Sequence, residues 1–315
     1  MDEQTPSSTT TPGASGEGIY LYCFARPGLP RGEKGVRPLL PVGPKGACAQ
    51  KGSDPFFSPE NPVTLVEVGD VAAVCTHVTL DDFTGESGEL HFQDPAWVVP
   101  RACRHEQVIE EVMTFSPVFP VRFGAVFSSR EALAQMIADR GAEISSFLDR
   151  VVGKEEWCVK GFVDIDKAAD RLLETDPALA EQYRSLPESP GARYFQQKRL
   201  RAEALKKAKH SCRSTADQVD HELAGLTKET GDAPLNEGRP ESGEVPAEGS
   251  VPCPLKLGDA PDGKGEMVLK RAFLLFCESV DEFRDRVAEI GDRHADSGVT
   301  LELSGPWPPY SFCPR

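Results

Sequence analysis

Apolar positions recur along this chain in two rhythms, and the switches between them mark its elements. Ile19-Tyr20-Leu21-Tyr22-Cys23-Phe24-Ala25 is apolar throughout and predicts a buried strand. Val63 to Val68 and Val71 to Val78 are β-branched runs around Gly69-Asp70, the pattern of a hairpin. The rhythm then becomes helical. Asp94 as N-cap and Pro95 at the first helical position open a helix, and Val98, Ala102, Val108, Ile109 and Val112 carry it to about Met113. Val118 to Phe127 reads as a strand region interrupted by Pro120 and Gly124. Ser128 or Ser129 caps the next helix, with Glu131 near the position of a capping box. Its inner face is Leu133, Ile137, Ile144, Phe147, Leu148 and Val151.

The second half repeats the alternation at larger scale. Glu156 to Val163 is a strand, and Asp164 to Leu173 and Pro177 to Leu186 are short helical pieces. Pro190 begins a long helix to about Thr227, with Leu205, Ala208, Cys212, Ala216, Val219, Leu223 and Leu226 as an apolar seam at 3/4 spacing. Val251 to Leu257 is a weak strand. Glu266 to Cys277 is a strong one, Asp281 to Asp296 an amphipathic helix, and Val299 to Leu303 a last strand. This βαββαβ order predicts a ferredoxin-like domain. The first half, β, ββ, α, β, α, predicts a sheet with helices layered on it, so the class is α+β.

A length of 315 residues fits two domains better than one. The predicted division is a disordered tail at 1–17, an N-terminal domain at 18–154 and a C-terminal domain at 155–315. Residues 26–62 read as a long irregular loop in which only Val36 to Val42 offers a short strand. Residues 230–265, rich in Gly, Pro, Glu and Asp, read as a mobile loop. No stretch reaches the roughly 20 apolar residues of a membrane span, and the N-terminus lacks the basic and apolar regions of a secretory signal. The expected location is the cytoplasm.

Charge narrows the chemistry. A net charge of −15 argues against nucleic acid as a general partner. The nine cysteines contain no C-x-x-C pair and read as reduced thiols, with Cys23, Cys75, Cys158 and Cys277 inside apolar strands. No paired Cys/His clusters suggest a metal, no G-x-S-x-G elbow a serine nucleophile, and no Gly-rich loop a phosphate. Neither metal nor cofactor is expected. His105-Glu106 is the one titratable cluster to weigh for an enzyme, and a structural role is the simpler reading. Val121 to Phe127 resembles an RNA-binding strand only faintly, since the glycine after the basic residue is missing. Arg122, flanked by Phe119 and Phe123, is expected to be structurally paired with Glu106 or Glu110. Lys198, Arg199, Arg201, Lys206, Lys207, Lys209 and Arg213 concentrate positive charge on the long helix, as a solvated face or a docking strip for an acidic partner.

The chain ends Leu301-Glu302-Leu303-Ser304-Gly305-Pro306-Trp307-Pro308-Pro309-Tyr310-Ser311-Phe312, an alternating strand running into a proline-stiffened aromatic tail. This ending resembles the C-terminal signature of the gas vesicle protein L/F (GvpL/GvpF) family. So do Arg104-His105-Glu106 leading into Pro117-Val118-Phe119-Pro120-Val121-Arg122-Phe123-Gly124, and Pro190-Gly191-Ala192-Arg193-Tyr194 opening the long helix. The resemblance spans most of residues 19–312; the long loop at 26–62 and the many cysteines depart from it. It implies a non-enzymatic accessory or minor structural protein of gas vesicle assembly, associated with vesicles. The implied partners are the small hydrophobic shell protein and other accessory proteins, not membrane. An enzyme built on His105 and Glu106, or a nucleic-acid-binding ferredoxin-like protein, is the alternative.

Two surfaces are expected to meet partners, with an unpaired sheet edge that could add a partner's strand as the alternative to the first. A helix of about 38 residues spans roughly 57 Å and outruns a four-stranded sheet, so its seam (Leu205, Cys212, Val219, Leu223) should in part project or be broken. Trp307 and Tyr310 are expected to anchor the tail on the body or to face a partner.

Overall fold

The computed structural model describes residues 16–32, 35–36, 62–229, 249–252 and 265–314. The expectations for the tail at 1–17 and for most of the stretches 26–62 and 230–265 lie outside the described residues. The chain forms two compact units, Met1–Val152 and Gly153–Arg315, each a mixture of helix and sheet.

In the first unit, β1 (Glu17–Ala25) is followed by two short paired strands, β2 (Arg31–Gly32) and β3 (Gly35–Val36). The hairpin β4 (Thr64–Val68) and β5 (Val71–Thr79) turns at Gly69-Asp70, where Gly69 takes a φ of 61°. That is a left-handed conformation open to glycine at no steric cost. Next come α1 (Gly85–Gln93), α2 (Pro95–Met113), β6 (Val118–Pro120), β7 (Val126–Phe127) and α3 (Arg130–Arg150). The sheet order is β4-β5-β1-β6, with β7 also on β1. Asp94 caps α2 through Ala96 N–H, and Ser129 caps α3 through Ala132 N–H, as their positions predict.

The strand β1 serves two cores. Ile19 and Leu21 pack with Leu133, Ile137, Ile144 and Leu148 of α3. A register shift between Leu21 and Cys23 then inserts Tyr22, so Phe24, not an odd-numbered residue, continues the α3-facing row. Tyr20 and Tyr22 point instead to His105 of α2. Arg26, just past β1, ties the hairpin turn to α3. It binds Asp70 at 2.8 Å, Ser145 Oγ at 2.7 Å and the Asp149 carboxylate. The Ser145 hydroxyl and the Arg26 guanidinium hold the Asp70 carboxyl below its usual range.

The second unit is β8 (Lys154–Val163), α4 (Ile165–Thr175), α5 (Pro177–Arg184), α6 (Pro190–Glu229), β9 (Gly249–Pro252), β10 (Glu266–Phe276), α7 (Val280–His294) and β11 (Val299–Trp307). Its sheet is fully antiparallel in the order β11-β8-β10-β9. Trp157 and Val159 of β8 and Leu269, Phe273 and Leu275 of β10 form one core with Val219, Leu223 and Leu226 of α6 and Phe283, Val287 and Ile290 of α7. Arg271 of β10 sits in this layer at 8 % exposure. Its charge is met by a two-pronged pair with Asp220 of α6, at 2.7 and 2.6 Å.

Two expectations are corrected here. The long helix is neither broken nor bare along its seam: α6 runs 40 residues, and α4 and α5 sheathe the part beyond the sheet. Leu200, Ala204 and Ala208 pack there with Ala169 and Leu179. Asp164 and Asp176 cap the two short helices, and Lys207 of α6 reaches Asp176 at 3.0 Å. Residues 118–127 form two short strands joined by a turn, interrupted where Pro120 and Gly124 place the break. Cys277 is not a strand residue; it begins a 3-10 turn after β10 and is exposed, whereas Cys23, Cys75 and Cys158 are buried. The helix α1 was not legible at all.

Candidate functional site

Three places carry the residues singled out by sequence. The first is His105, fully buried on α2. Its Nε2–H donates to the Val121 carbonyl at 2.8 Å, and its Nδ1 accepts from the Tyr20 hydroxyl at 2.8 Å. The carbonyl can only accept, which fixes this tautomer. Gly124 N–H in turn donates to Tyr20 Oη at 3.3 Å. His105 therefore ties the turn 121–125 to β1, with Phe123 packed edge-on at 5.9 Å. Burial pushes its pKa down to about 4 and keeps the ring neutral. Glu106 is half-buried beside it. Arg122 is exposed on the turn, so its charge needs no buried partner and the expected Arg122–Glu106 pairing has no structural reason.

A pH prediction follows from His105. Between pH 6.5 and about 4 the unfolded chain takes up a proton at this position while the folded chain does not. Stability should therefore fall as pH falls through that window, by about 3 kcal/mol in total. Urea titrations at pH 7 and pH 4.5 read the loss. A His105→Gln variant should begin less stable and show a shallower slope; an equal slope would remove His105 as its origin.

The second place is α6. Cys212, Val219 and Leu223 are buried at 2 %, 0 % and 0 %, and Leu205 is half-buried against α4 and α5. These four residues are core, not an open seam. What α6 does leave bare is its first three turns, where Tyr194 and Phe195 are 61 % and 73 % exposed.

The third is the C-terminal strand and tail. Of the two residues expected to anchor the tail, Trp307 is 43 % exposed and Tyr310 is half-buried. The anchor is Phe312, at 0 % exposure. Beside it Ser311 donates through its backbone N–H and its hydroxyl to the Glu156 carboxylate of β8, at 2.9 and 2.7 Å. Gly305 makes this path possible. A Cβ there would stand 2.9 Å from the Trp157 ring and 3.0 Å from the Glu156 carbonyl. Arg284 of α7 covers the Trp157 ring at 4.6 Å.

Beside this tail lies a cleft of about 560 Å³ between α7 and β11. Val287, Ala288, Gly291, Leu301 and Leu303 give it an apolar floor, and Asp164, Lys167, Arg284 and Asp292 line it with charge. β11 is the terminal strand of its sheet, paired with β8. An apolar cleft along a terminal strand suits an extended or helical apolar segment. Among the described residues, no group of three or more His, Cys, Asp or Glu side chains could hold a metal, and no helix is long and apolar enough to cross a membrane.

Comparison with known proteins is decisive at the family level. Residues 18–314 match the model of the family described as Gas vesicle synthesis protein GvpL/GvpF. The chain belongs to the GvpL/GvpF family. Gas vesicle protein L of Streptomyces sp. (strain CB03234) is 27 % identical over 282 residues, 88 % of this chain and 90 % of that protein. Gas vesicle protein L of Haloferax mediterranei is 25 % identical over 258 residues, 81 % of this chain and 71 % of that protein. Gas vesicle protein GvpF from Anabaena sp. PCC7120 shares the fold, with a TM-score of 0.54 at 15 % identity, over 95 % of this chain and 99 % of that one.

For this GvpL/GvpF member, membership supports a gas-vesicle-related role and association with gas vesicles. Two of the stretches that carry the resemblance have structural work to do. PVFPVRFG forms the turn held by His105, and the terminal motif supplies the edge strand and the Phe312 anchor. The sequence points to a sheet edge as a binding surface but not to the α7–β11 cleft beside it, nor to the exposed aromatic pair on α6. The adjacent aromatics Tyr194 and Phe195, ahead of Leu200, the first buried residue of the helix, are the sequence signal that this part of the helix is bare.

Proposed function

We propose that this protein is a non-enzymatic accessory or minor structural component of gas vesicle assembly that binds the small hydrophobic shell protein along β11 and the α7–β11 cleft. The terminal strand beside an apolar cleft is the observation that carries the binding site. A shell that excludes liquid water needs an apolar inner face, and its free subunits would aggregate through that face. A soluble partner of net charge −15 that covers it would hold them in solution. The enzyme alternative is disfavoured because both His105 ring nitrogens are engaged in a buried structural bridge. The sheet order β11-β8-β10-β9, with α6 and α7 on one face, supports reading the second unit as a ferredoxin-like domain and the chain as two domains.

Capture of the shell protein from co-expressing cells tests this. Ala288 and Thr300 line the cleft and are exposed, so Ala288→Lys with Thr300→Lys adds charge without disturbing the core. Capture should fall about tenfold or more while the melting midpoint stays put, and salt should barely affect wild-type capture because apolar burial is not screened. Undiminished capture by the variant would move the site away from β11. Absence of capture by the wild type at any salt would defeat the accessory reading.

A further inference from the structure

The face of α6 opposite its buried seam carries a second, chemically different surface. Phe195, Arg199, Ala202, Lys206, Lys209 and Arg213 follow one another at 4-3-4-3-4 spacing, and all six are exposed. At 100° per residue they form one straight stripe opposite Leu200, Ala204 and Ala208, about 27 Å long at 1.5 Å per residue. Two other basic residues of the helix, off this line, are already engaged: Arg201 pairs with Asp166 at 2.9 Å and Lys207 with Asp176 at 3.0 Å. Among the described residues, no carboxylate pairs with Arg199, Lys206, Lys209 or Arg213. Four unneutralised cations on one line stand out in a chain of net charge −15.

We propose that this stripe is a docking strip for an acidic amphipathic helix of another protein. Its spacing is that of a helix–helix seam, and Ala202 at its centre lets a second backbone approach closely. Phe195, 73 % exposed with Tyr194 edge-on at 5.8 Å, gives an apolar residue of the partner something to bury at the open end. The shape of the positive region selects against broad polyanions. Exposed Asp217 closes the stripe and Glu203 flanks it, so a duplex or an anionic bilayer would meet these carboxylates and the net charge of the whole protein. A single acidic helix avoids both. This surface is separate from the α7–β11 cleft, and its reading does not depend on shell-protein binding.

The test uses the full-length protein and a labelled amphipathic peptide of about 20 residues, with glutamates at heptad spacing and leucine at one end. A peptide of the same composition interrupted by two prolines is the control. The helical peptide should bind at least tenfold tighter than the control at about 50 mM salt and lose most of its affinity at about 500 mM, as exposed charge pairs do. Arg199→Glu with Lys206→Glu and Lys209→Glu, all exposed changes whose fold circular dichroism verifies, should weaken it roughly a hundredfold, and Phe195→Ala roughly tenfold. Four outcomes overturn the proposal: no binding, equal binding of the proline peptide, indifference to the triple reversal, or tighter binding of single-stranded DNA or phosphatidylserine vesicles than of the helical peptide.

Discussion

Val219→Glu combined with Leu223→Glu will unfold the second unit. Both side chains are at 0 % exposure, one turn apart on α6, against Phe273 and Leu269 of β10 and Val287 of α7. The cation in this layer, Arg271, is already held by the Asp220 carboxylate at 2.7 and 2.6 Å and offers a new carboxylate no partner of its own. Each substitution removes a buried aliphatic contact and strands a charge, at a cost of several kcal/mol per ion. Two together exceed what the unit has in reserve, since whole domains are stable by only about 5–15 kcal/mol. Circular dichroism and urea titration should show loss of the cooperative transition of the second unit, with the first unit still folding. A midpoint within a few degrees of wild type would mean that this length of α6 is not buried. The same pair of changes therefore cannot serve as a binding test: loss of a partner would report unfolding. Surface probes belong on Ala288 and Thr300, or on the outer stripe of α6.

The contrast between seam and stripe shows what the amino-acid pattern carried and what it did not. The 3/4 spacing from Ala208 to Leu226 located a helix and its apolar face, and Asp94, Ser129 and Asp164 marked helix starts that the structure reproduces. Caps are local chemistry between neighbours in sequence, so they are readable from sequence. The cover over α6 is not local. It depends on α4 and α5 folding back, and Ala169 and Leu179 carry no mark of which surface they will meet. Helix α1, GESGELHFQ, contains two glycines and offers almost no apolar period, so tertiary packing rather than propensity makes it. Gly88 shows this packing: a Cβ there would stand 2.5 Å from the Phe83 backbone. The α7–β11 cleft was invisible for another reason. A strand becomes terminal only once every other strand has found its neighbour, and that order is a global property of the sheet.

Phe312→Ala will cost about 3–5 kcal/mol, while Trp307→Ala will cost roughly 1 kcal/mol. Size alone points to the tryptophan, since an indole has the most apolar surface to bury. The backbone decides otherwise. Gly305 lets the chain pass hard against Trp157, and the turn through Pro308-Pro309 then carries Ser311 onto the Glu156 carboxylate. That places Phe312 inside and leaves Trp307 on the outer side of the bend, with only a 3.3 Å hydrogen bond from its Nε1–H to Ser304 Oγ. Removing the Phe312 ring empties a fully enclosed site. It also loosens the Ser311 clasp, exposing the cost of the buried Glu156 charge, at 6 % exposure, that those two donors satisfy. Ser311→Ala should therefore destabilise the same element by about 1–2 kcal/mol, through loss of one donor to a charged acceptor. The three variants form an ordered series, Phe312 above Ser311 and Ser311 at or above Trp307, readable by urea titration of the full chain. If Trp307→Ala proved the most damaging of the three, the tail would be anchored by its indole. A tail that left the midpoint unchanged in all three variants would be a free peptide, and β11 would then lack the anchor that fixes its end beside the cleft.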